Sequence, residues 1–254
     1  MVGSKEGFRW QPGDGWKLLA LGLIGHGIYQ TFFILGVDNT LAGNTALILS
    51  INPAFVAVFG AILGFERVKG YTWVGVSITL AGAALVVLGT GKPLEFGPRL
   101  MGDAIMLGVT MLWALYTVLS QPLLRRYSAV KLNAMTMPLG SALLLLVASP
   151  SIAESAPAWP SVPGMAWLIL ILSGLFAVSA SYIVWYKGVQ KLGATRTSVY
   201  SNLVPVLAAL ISFFILKEPL GWAFWTGMVL VLGGVSLARF GGRLTRDEGG
   251  KRET

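Results

Sequence analysis

GVDNTLAGNTALILSINPAFVAVFGAILGFERV, residues 36–68, reveals the architecture of this chain because residues 188–220, GVQKLGATRTSVYSNLVPVLAALISFFILKEPL, repeat its pattern. A shift of 152 positions (from 53 to 205) aligns the two stretches without a gap. The register continues downstream, and the coincident pairs are Pro53 and Pro205, Glu66 and Glu218, Trp73 and Trp225, Gly75 and Gly227, and Gly82 and Gly234. One register over about 50 residues indicates an internal repeat.

Apolar runs separated by short polar links extend along most of the chain. Hydrophobic residues make up 55% of the sequence and charged residues 12%, and the mean hydropathy is +0.71. Soluble domains contain about 25% charged residues. As helices, runs of about 20 apolar residues cross a bilayer core. We therefore predict an all-α polytopic transmembrane helix bundle with eight spans, at residues 18–37, 41–64, 70–91, 101–121, 131–150, 164–186, 194–216 and 221–240.

The basic residues predict how these spans are oriented. With both termini in the cytoplasm, only Lys92, Arg99 and Lys217 of the 19 Lys and Arg residues lie outside. Cytoplasmic links of membrane proteins are enriched in Lys and Arg. We therefore expect a plasma membrane protein, in a bacterial inner membrane, with both termini cytoplasmic. The span at 18–37 then starts inside and its copy at 164–186 starts outside, so the two repeats are inverted. Inverted repeats are typical of secondary transporters.

The two repeats are unequal in length. Residues 1–17 form a predicted cytoplasmic segment, residues 18–91 a first repeat of three spans, residues 101–240 a second repeat of five spans, and residues 241–254 a cytoplasmic tail. The register therefore predicts two further helices before residue 18, and the first half of the repeat is truncated. A start site placed too late and a genuinely short variant both fit this pattern, and we favour the start site.

The doubled pattern resembles EamA-type members of the drug/metabolite transporter superfamily. Besides the two quoted stretches, it includes WVGVSITLAGAALVVL at residues 73–88 and WTGMVLVLGGVSL at residues 225–237. In each half, a Gly/Ala/Ser-rich helix with a central Pro leads to a Glu at a tight turn and a Gly-rich last helix. The resemblance covers residues 18–240. It implies ten helices in two inverted halves and export or exchange of small metabolites such as amino acids, and this chain departs from it by lacking the first two helices.

Pro53 and Pro205 lie near the middle of their predicted spans. Proline removes a backbone N–H and displaces the carbonyl four residues earlier, and such carbonyls in a membrane must face protein or a wet cavity. Paired interrupted helices indicate a transporter site near the bilayer midplane, although simple structural kinks also fit. The candidate substrate-binding residues are polar or aromatic side chains of these spans, namely Asn52, Asn202, Asn44, Tyr29, Tyr200, Trp113 and Tyr182. Hydrogen bonding between helices is the alternative role of the polar ones.

His26 is the only histidine and lies within the first span. A histidine in a membrane span is a candidate proton carrier, so we assign His26 to proton coupling, with a neutral histidine bonded between helices as the alternative. The acidic residues fall near span ends. We expect Glu66 and Glu218 to be structural, pairing with neighbouring Arg or Lys residues.

Two features of the helix surfaces also carry expectations. Trp185 and Tyr186 precede Lys187, a position typical of an interfacial aromatic belt. The glycines of the last helix in each half predict close helix packing and are a possible homodimer face.

Composition also limits the function. The chain has no cysteine and one histidine, so we expect no metal and no cofactor, and the basic residues lie in links between spans, so we expect no nucleic acid partner. An enzyme in the membrane would need a metal or paired acid and base groups, and a direct ATPase would need a GxxxxGK[ST] loop. The sequence therefore predicts a secondary transporter of a small metabolite by alternating access, with the lipid bilayer and a small-molecule substrate as partners. A non-transporting or truncated subunit is the alternative.

Overall fold

A computed structural model describes residues 11–89, 100–216 and 220–250, and every regular element within these ranges is helical. Eight helices there are long and apolar enough to cross a bilayer: α1 (Gly15–Asp38), α2 (Ala42–Ile62), α3 (Gly70–Gly89), α4 (Leu100–Leu124), α5 (Ala129–Ser155), α6 (Gly164–Leu192), α7 (Ala194–Ile215) and α8 (Trp222–Phe240). The helix that contains α8 continues to Gly250. The prediction of an all-α bundle with eight spans is confirmed.

The helices extend beyond the apolar runs that predicted them. Helix α5 continues to Ser155, and α6 continues to Leu192, where Gly193 ends it with a φ of +87°. Only a residue without a Cβ atom adopts that conformation readily. Residues 1–10, 90–99, 217–219 and 251–254 lie outside the described ranges, and with them lie Lys92, Arg99, Lys217 and Glu218.

Successive helices run in opposite directions between two ends of the bundle. We call the end that carries Gly15 the near end, and the end that carries the α1–α2 turn at residues 39–41 the far end. A Cβ atom on Gly102, at the start of α4, would lie 2.0 Å from the carbonyl oxygen of Asn39. This contact places the start of α4 at the far end.

At the near end, a charged cluster joins the start of α1 to the end of α4. The Asp14 carboxylate accepts hydrogen bonds from Arg126 Nη1 at 3.0 and 3.2 Å and from the Tyr127 hydroxyl at 3.1 Å. Lys17 Nζ lies 3.3 Å from Asp14 Oδ1. Burial alone would raise the pKa of Asp14, but the hydrogen bonds from Arg126, Lys17 and Tyr127 outweigh it and lower this pKa below its ordinary value. The cluster therefore carries a carboxylate at neutral pH.

Helices α3 and α8 cross through glycines. A Cβ atom on Gly75 would lie 2.8 Å from the carbonyl oxygen of Gly234, and one on Gly82 would lie 2.8 Å from that of Gly227. In the register of the repeat, Gly75 corresponds to Gly227 and Gly82 to Gly234, so each contact is the copy of the other. Inverted repeats produce this arrangement, in which equivalent helices pack antiparallel. Because these glycines are covered within one chain, they do not form a homodimer face.

Candidate functional site

A cavity of about 590 Å³ lies between the two repeats, with walls from α1, α2, α4, α6 and α7. Val37 and Ala42 line it at the far end of the bundle. Its lining positions nearest the other end are Asn52 in α2, Trp185 in α6 and Ser201 in α7. The cavity therefore extends from the far end to about the middle of the bundle.

Two of the walls come from interrupted helices. Helix α2 is broken at Ile51, between the segments Ala42–Ser50 and Asn52–Ile62. Helix α7 tightens into a 3₁₀ turn at Tyr200–Asn202 before it continues from Leu203. Each interruption comes just before a proline, because a proline cannot donate the backbone hydrogen bond that would continue the preceding turn. Pro205 lines the cavity, and Pro53 is buried beside Asn52.

Each interruption carries a buried asparagine, although the two are not equivalent in the repeat, since Asn52 directly precedes Pro53 and Asn202 comes three positions before Pro205. Asn52 is 3% exposed and Asn202 1% exposed, and neither side-chain amide has a hydrogen-bond partner among the described residues. Asn52 lines the cavity, whereas Asn202 is not a lining residue but follows the lining residue Ser201 in the chain. A buried polar group left without a partner costs about 1–3 kcal/mol. These amides are thus the groups from which a ligand or water molecule would gain most.

Two further polar groups near the cavity also lack partners within the described ranges. The Thr45 hydroxyl belongs to a lining residue of α2. The Tyr200 hydroxyl lies in the 3₁₀ turn of α7, and the Arg239 guanidinium lies 6.0 Å from the centre of the Tyr200 ring.

Aromatic rings form a continuous wall on the side of α1, α4 and α6. Ring centroids are 5.8 Å apart for Phe33 and Tyr29, 4.9 Å for Tyr29 and Trp113, and 5.4 Å for Trp113 and Trp185. All four residues line the cavity, and all of its lining residues are uncharged. Such a wall suits an apolar or aromatic group of a ligand, and ring faces also attract organic cations.

The expected interfacial belt of Trp185 and Tyr186 is not observed. Trp185 lines the cavity, and its Nε1 donates a hydrogen bond to Thr117 Oγ1 at 3.2 Å. Tyr186 is completely buried. The neighbouring Lys187 indicated a span end, but α6 continues for another turn and keeps both rings inside the bundle.

Besides Asn202 and Tyr200, two other predicted residues, Asn44 and Tyr182, lie away from the cavity wall. Asn44 Nδ2 donates to both carboxylate oxygens of Asp103, at 3.0 and 3.1 Å, and the Thr40 hydroxyl donates to Oδ1 of the same carboxylate. This cluster fastens the start of α2 to α4 at the far end. The Tyr182 ring packs 4.4 Å from the His26 ring, and its hydroxyl donates to the carbonyl of Gly25 at 3.3 Å.

His26 is buried in a cluster of hydroxyl groups. Its Nε2 lies 3.2 Å from the Tyr116 hydroxyl and 3.3 Å from Thr136 Oγ1. Thr136 Oγ1 also lies within hydrogen-bonding distance of the Leu132 carbonyl, and the tautomer of the imidazole decides whether Nε2 donates to these hydroxyls or accepts from them. The Tyr116 hydroxyl in turn donates to Tyr186 at 2.6 Å. Together these contacts form a hydrogen-bonded chain that joins α1, α4, α5 and α6.

The backbone around His26 is wider than an α-helix. Residues Leu23–Ile28 form a π-helical segment, and Ser173–Ser179 form another at nearly the corresponding position in the second repeat. Segments of this type are rare and often occur at functional sites.

At the near end, Glu66 connects the two repeats. Its carboxylate accepts hydrogen bonds from the Gln121 side chain, the Ala194 backbone N–H, and both the backbone N–H and the hydroxyl of Thr195. The expected pairing of Glu66 with Arg67 or Lys69 is therefore replaced by contacts with α4 and α7. Because α7 begins immediately after the sharp turn at Gly193, its first N–H groups point at this carboxylate.

Some lining residues were not predicted from the sequence. Phe33 follows the predicted Tyr29 by four positions, and Thr110 precedes the predicted Trp113 by three. Residues at these spacings share one face of a helix, so this periodicity was a signal that could have identified both. Among the described residues, no group of three His, Cys, Asp or Glu side chains could hold a metal ion.

Comparisons with known proteins agree with this architecture. The EamA-like transporter family matches residues 2–88 and 100–240. A protein of Archaeoglobus fulgidus named an uncharacterized transporter is 30% identical over 237 residues, which cover 92% of this chain and 79% of that protein. The uncharacterized transporter YyaM of Bacillus subtilis is 29% identical over 225 residues, or 87% and 72% of the two chains. One crystal structure superposes with a TM-score of 0.74 at 20% identity, covering 94% of this chain and 79% of the other.

Proposed function

Because the chain belongs to the EamA-like transporter family and is an integral membrane transporter, we propose that it exports or exchanges a small organic solute by alternating access. The observation that carries this proposal is the pair of buried, unpartnered amides of Asn52 and Asn202. They lie where two equivalent helices break, beside a cavity between the repeats. Midplane sites of this kind are characteristic of transporters with inverted repeats.

The wall chemistry supports an amino-acid-like or similar small solute. Tyr29 and Trp113 offer ring faces to its apolar part, and Asn52 offers an amide to its polar part. Asn202 and Tyr200 flank the lining residue Ser201, and in this proposal they reach the solute when the turn of α7 moves during alternating access. Since no charged side chain lines the cavity, a solute with a large net charge would lose its hydration without an opposite charge in return.

Asn44 and Tyr182 act indirectly in this proposal. Asn44 positions the first turn of α2 through Asp103, and Tyr182 positions the His26 ring. His26 couples transport to proton movement, supported by its hydrogen-bonded chain to Tyr116 and Tyr186.

Alternating access requires two gates. In this structure the cavity reaches the far end, and buried residues such as Val56 and Tyr116 fill the near half of the bundle. The contacts of Glu66 with Thr195 hold the near ends of the two repeats together. Opening toward the near end would require that these contacts separate.

The positions of the basic residues support a plasma membrane protein whose near end faces the cytoplasm. A homodimer is also proposed. Its contact face would lie on α6, where Leu170, Phe176 and Val184 are exposed, rather than on the buried glycines at the crossing of α3 and α8.

The test is transport by the purified chain in proteoliposomes with a panel of labelled neutral amino acids and amines. Asn52→Ala and Asn202→Ala should each reduce uptake of the transported solute about tenfold, because an amide hydrogen bond to a ligand contributes about 1–1.5 kcal/mol. Asn133→Ala is the matched control, since Asn133 is also buried but belongs to α5, which contributes no residue to the cavity wall.

The possible results separate the proposals. Normal uptake kinetics in both cavity variants would refute the assignment of the two asparagines. Failure of the wild-type chain to transport any member of a broad panel would favour a non-transporting subunit.

A further inference from the structure

A second cavity, of about 200 Å³, lies at the near end beside Glu66. Its walls come from the α2–α3 link, with Arg67 and Lys69, from the start of α3, with Thr72, and from the start of α7, with Thr195 and Arg196. It shares no lining residue with the large cavity. It is therefore a separate concave site between the two repeats.

The charges around this cavity are mainly positive. Arg67, Lys69 and Arg196 line it, and none of the three is ion-paired within the part of the chain that the structure describes. Glu66 is the one acidic lining residue. Both of its carboxylate oxygens already accept hydrogen bonds, from Gln121, Ala194 and Thr195. Three cations against this one carboxylate leave the cavity with an excess of positive charge.

Tyr71 holds two of the cations in position. Arg196 Nη2 donates to the Tyr71 hydroxyl at 2.8 Å, and Lys69 Nζ lies 5.9 Å from the centre of the Tyr71 ring. The guanidinium of Arg196 is half-buried and has further N–H groups to offer, whereas Arg67 and Lys69 are exposed. Cations that are already ordered lose less conformational entropy when an anion binds.

We propose that this cavity binds a phosphate-type oxyanion, supplied either by the headgroup of an anionic phospholipid or by free phosphate. Arginine N–H groups match the spacing of phosphate oxygens, and basic pockets between membrane helices bind anionic headgroups. Arg67 and Lys69 belong to the first repeat and Arg196 to the second. A bound anion therefore links the near ends of the two repeats, next to the contacts of Glu66. This site does not depend on which solute the large cavity carries.

The experiment measures the thermal unfolding of the full chain in lipid nanodiscs by its tryptophan fluorescence. One arm titrates sodium phosphate at constant ionic strength into nanodiscs of phosphatidylcholine. The other arm replaces part of the phosphatidylcholine with phosphatidylglycerol. Arg67→Gln/Lys69→Gln removes two exposed cations of the cavity. Arg125→Gln/Lys187→Gln is the matched control, because it removes two exposed cations from the same end but outside the cavity.

We expect the wild-type chain and the control to be stabilised by the anion, and the cavity variant to need about tenfold more of it, since two solvent-exposed ion pairs worth roughly threefold each are lost. Stabilisation by phosphate in phosphatidylcholine identifies a free anion as the ligand, and stabilisation by phosphatidylglycerol alone identifies a lipid headgroup. The proposal is overturned if neither source stabilises the wild-type chain, or if the control loses as much of the response as the cavity variant.

Discussion

His26 shows how much one side chain depends on its surroundings in a membrane. Its Nε2 is held between a tyrosine and a threonine hydroxyl, and the Tyr182 ring covers one face of the imidazole. No carboxylate takes part in the hydrogen bonds described for this cluster. If protons drive transport, the imidazole is thus the group of this cluster that would carry the proton.

This arrangement predicts the behaviour of His26→Gln, because glutamine can keep a hydrogen bond but cannot take up a proton. We expect the variant to lose accumulation of solute driven by a pH gradient while it still exchanges labelled for unlabelled solute across proteoliposomes. Uptake with and without an imposed gradient, compared with exchange at equal pH, measures both quantities.

Thr136→Val serves as the control, since it removes a partner of the imidazole but keeps the titrating group. Gradient-driven accumulation by His26→Gln at the wild-type level would exclude His26 as the proton carrier. A wild-type chain that ignores the gradient would exclude proton coupling itself.

At the scale of helices, the start of α7 determines how the near end is closed. Gly193 turns the chain sharply and exposes the first N–H groups of α7, and the Glu66 carboxylate accepts from two of them. Helix starts favour negative charge, so this contact is stronger than a neutral one. Glu66 belongs to the first repeat, in the α2–α3 link, and its partners in α7 belong to the second. The contact therefore closes the near end only while the two repeats stay together.

Glu66→Gln should therefore loosen the near end. Charge-assisted hydrogen bonds contribute about 1.5–3 kcal/mol each. Losing the equivalent of one should therefore raise the population of molecules in which the residues behind this contact are open to solvent, by about tenfold or more. Because the chain has no cysteine, Ser120→Cys provides a single reporter at a buried position next to Gln121. The rate at which a membrane-permeant maleimide labels this cysteine measures the opening.

Glu154→Gln is the matched control for that measurement, because Glu154 is an exposed residue of α5 far from the contact. Equal labelling rates in the Glu66 variant and in the control would show that Glu66 does not hold the near end closed.

At the scale of the whole molecule, the sequence predicted the helices better than their contacts. Eight spans followed from apolar length, because a bilayer leaves few alternatives to a helix. The contacts of Asn44 with Asp103 and of Glu66 with Thr195 were not predicted, because they depend on which helix faces which across the bundle. The prediction that Trp185 lies at the membrane surface was wrong for a related reason. The neighbouring Lys187 indicated the end of the span, but α6 continues past it.

The sequence predicts how the bundle is oriented in the membrane, and the arrangement of the helices does not test that prediction. Basic residues such as Arg125, Arg126 and Lys187 lie at the near end, and the positive-inside rule assigns that end to the cytoplasm.

Ser161, in the link between α5 and α6, lies at the far end and is exposed. In intact cells, a membrane-impermeant maleimide should label Ser161→Cys, whereas Arg125→Cys should react only after permeabilisation, because each variant carries a single cysteine. The reverse pattern would invert the orientation, and labelling of both in intact cells would mean that the chain inserts in two directions. With the expected pattern, the large cavity in this structure opens away from the cytoplasm, and the contacts of Glu66 form the cytoplasmic gate.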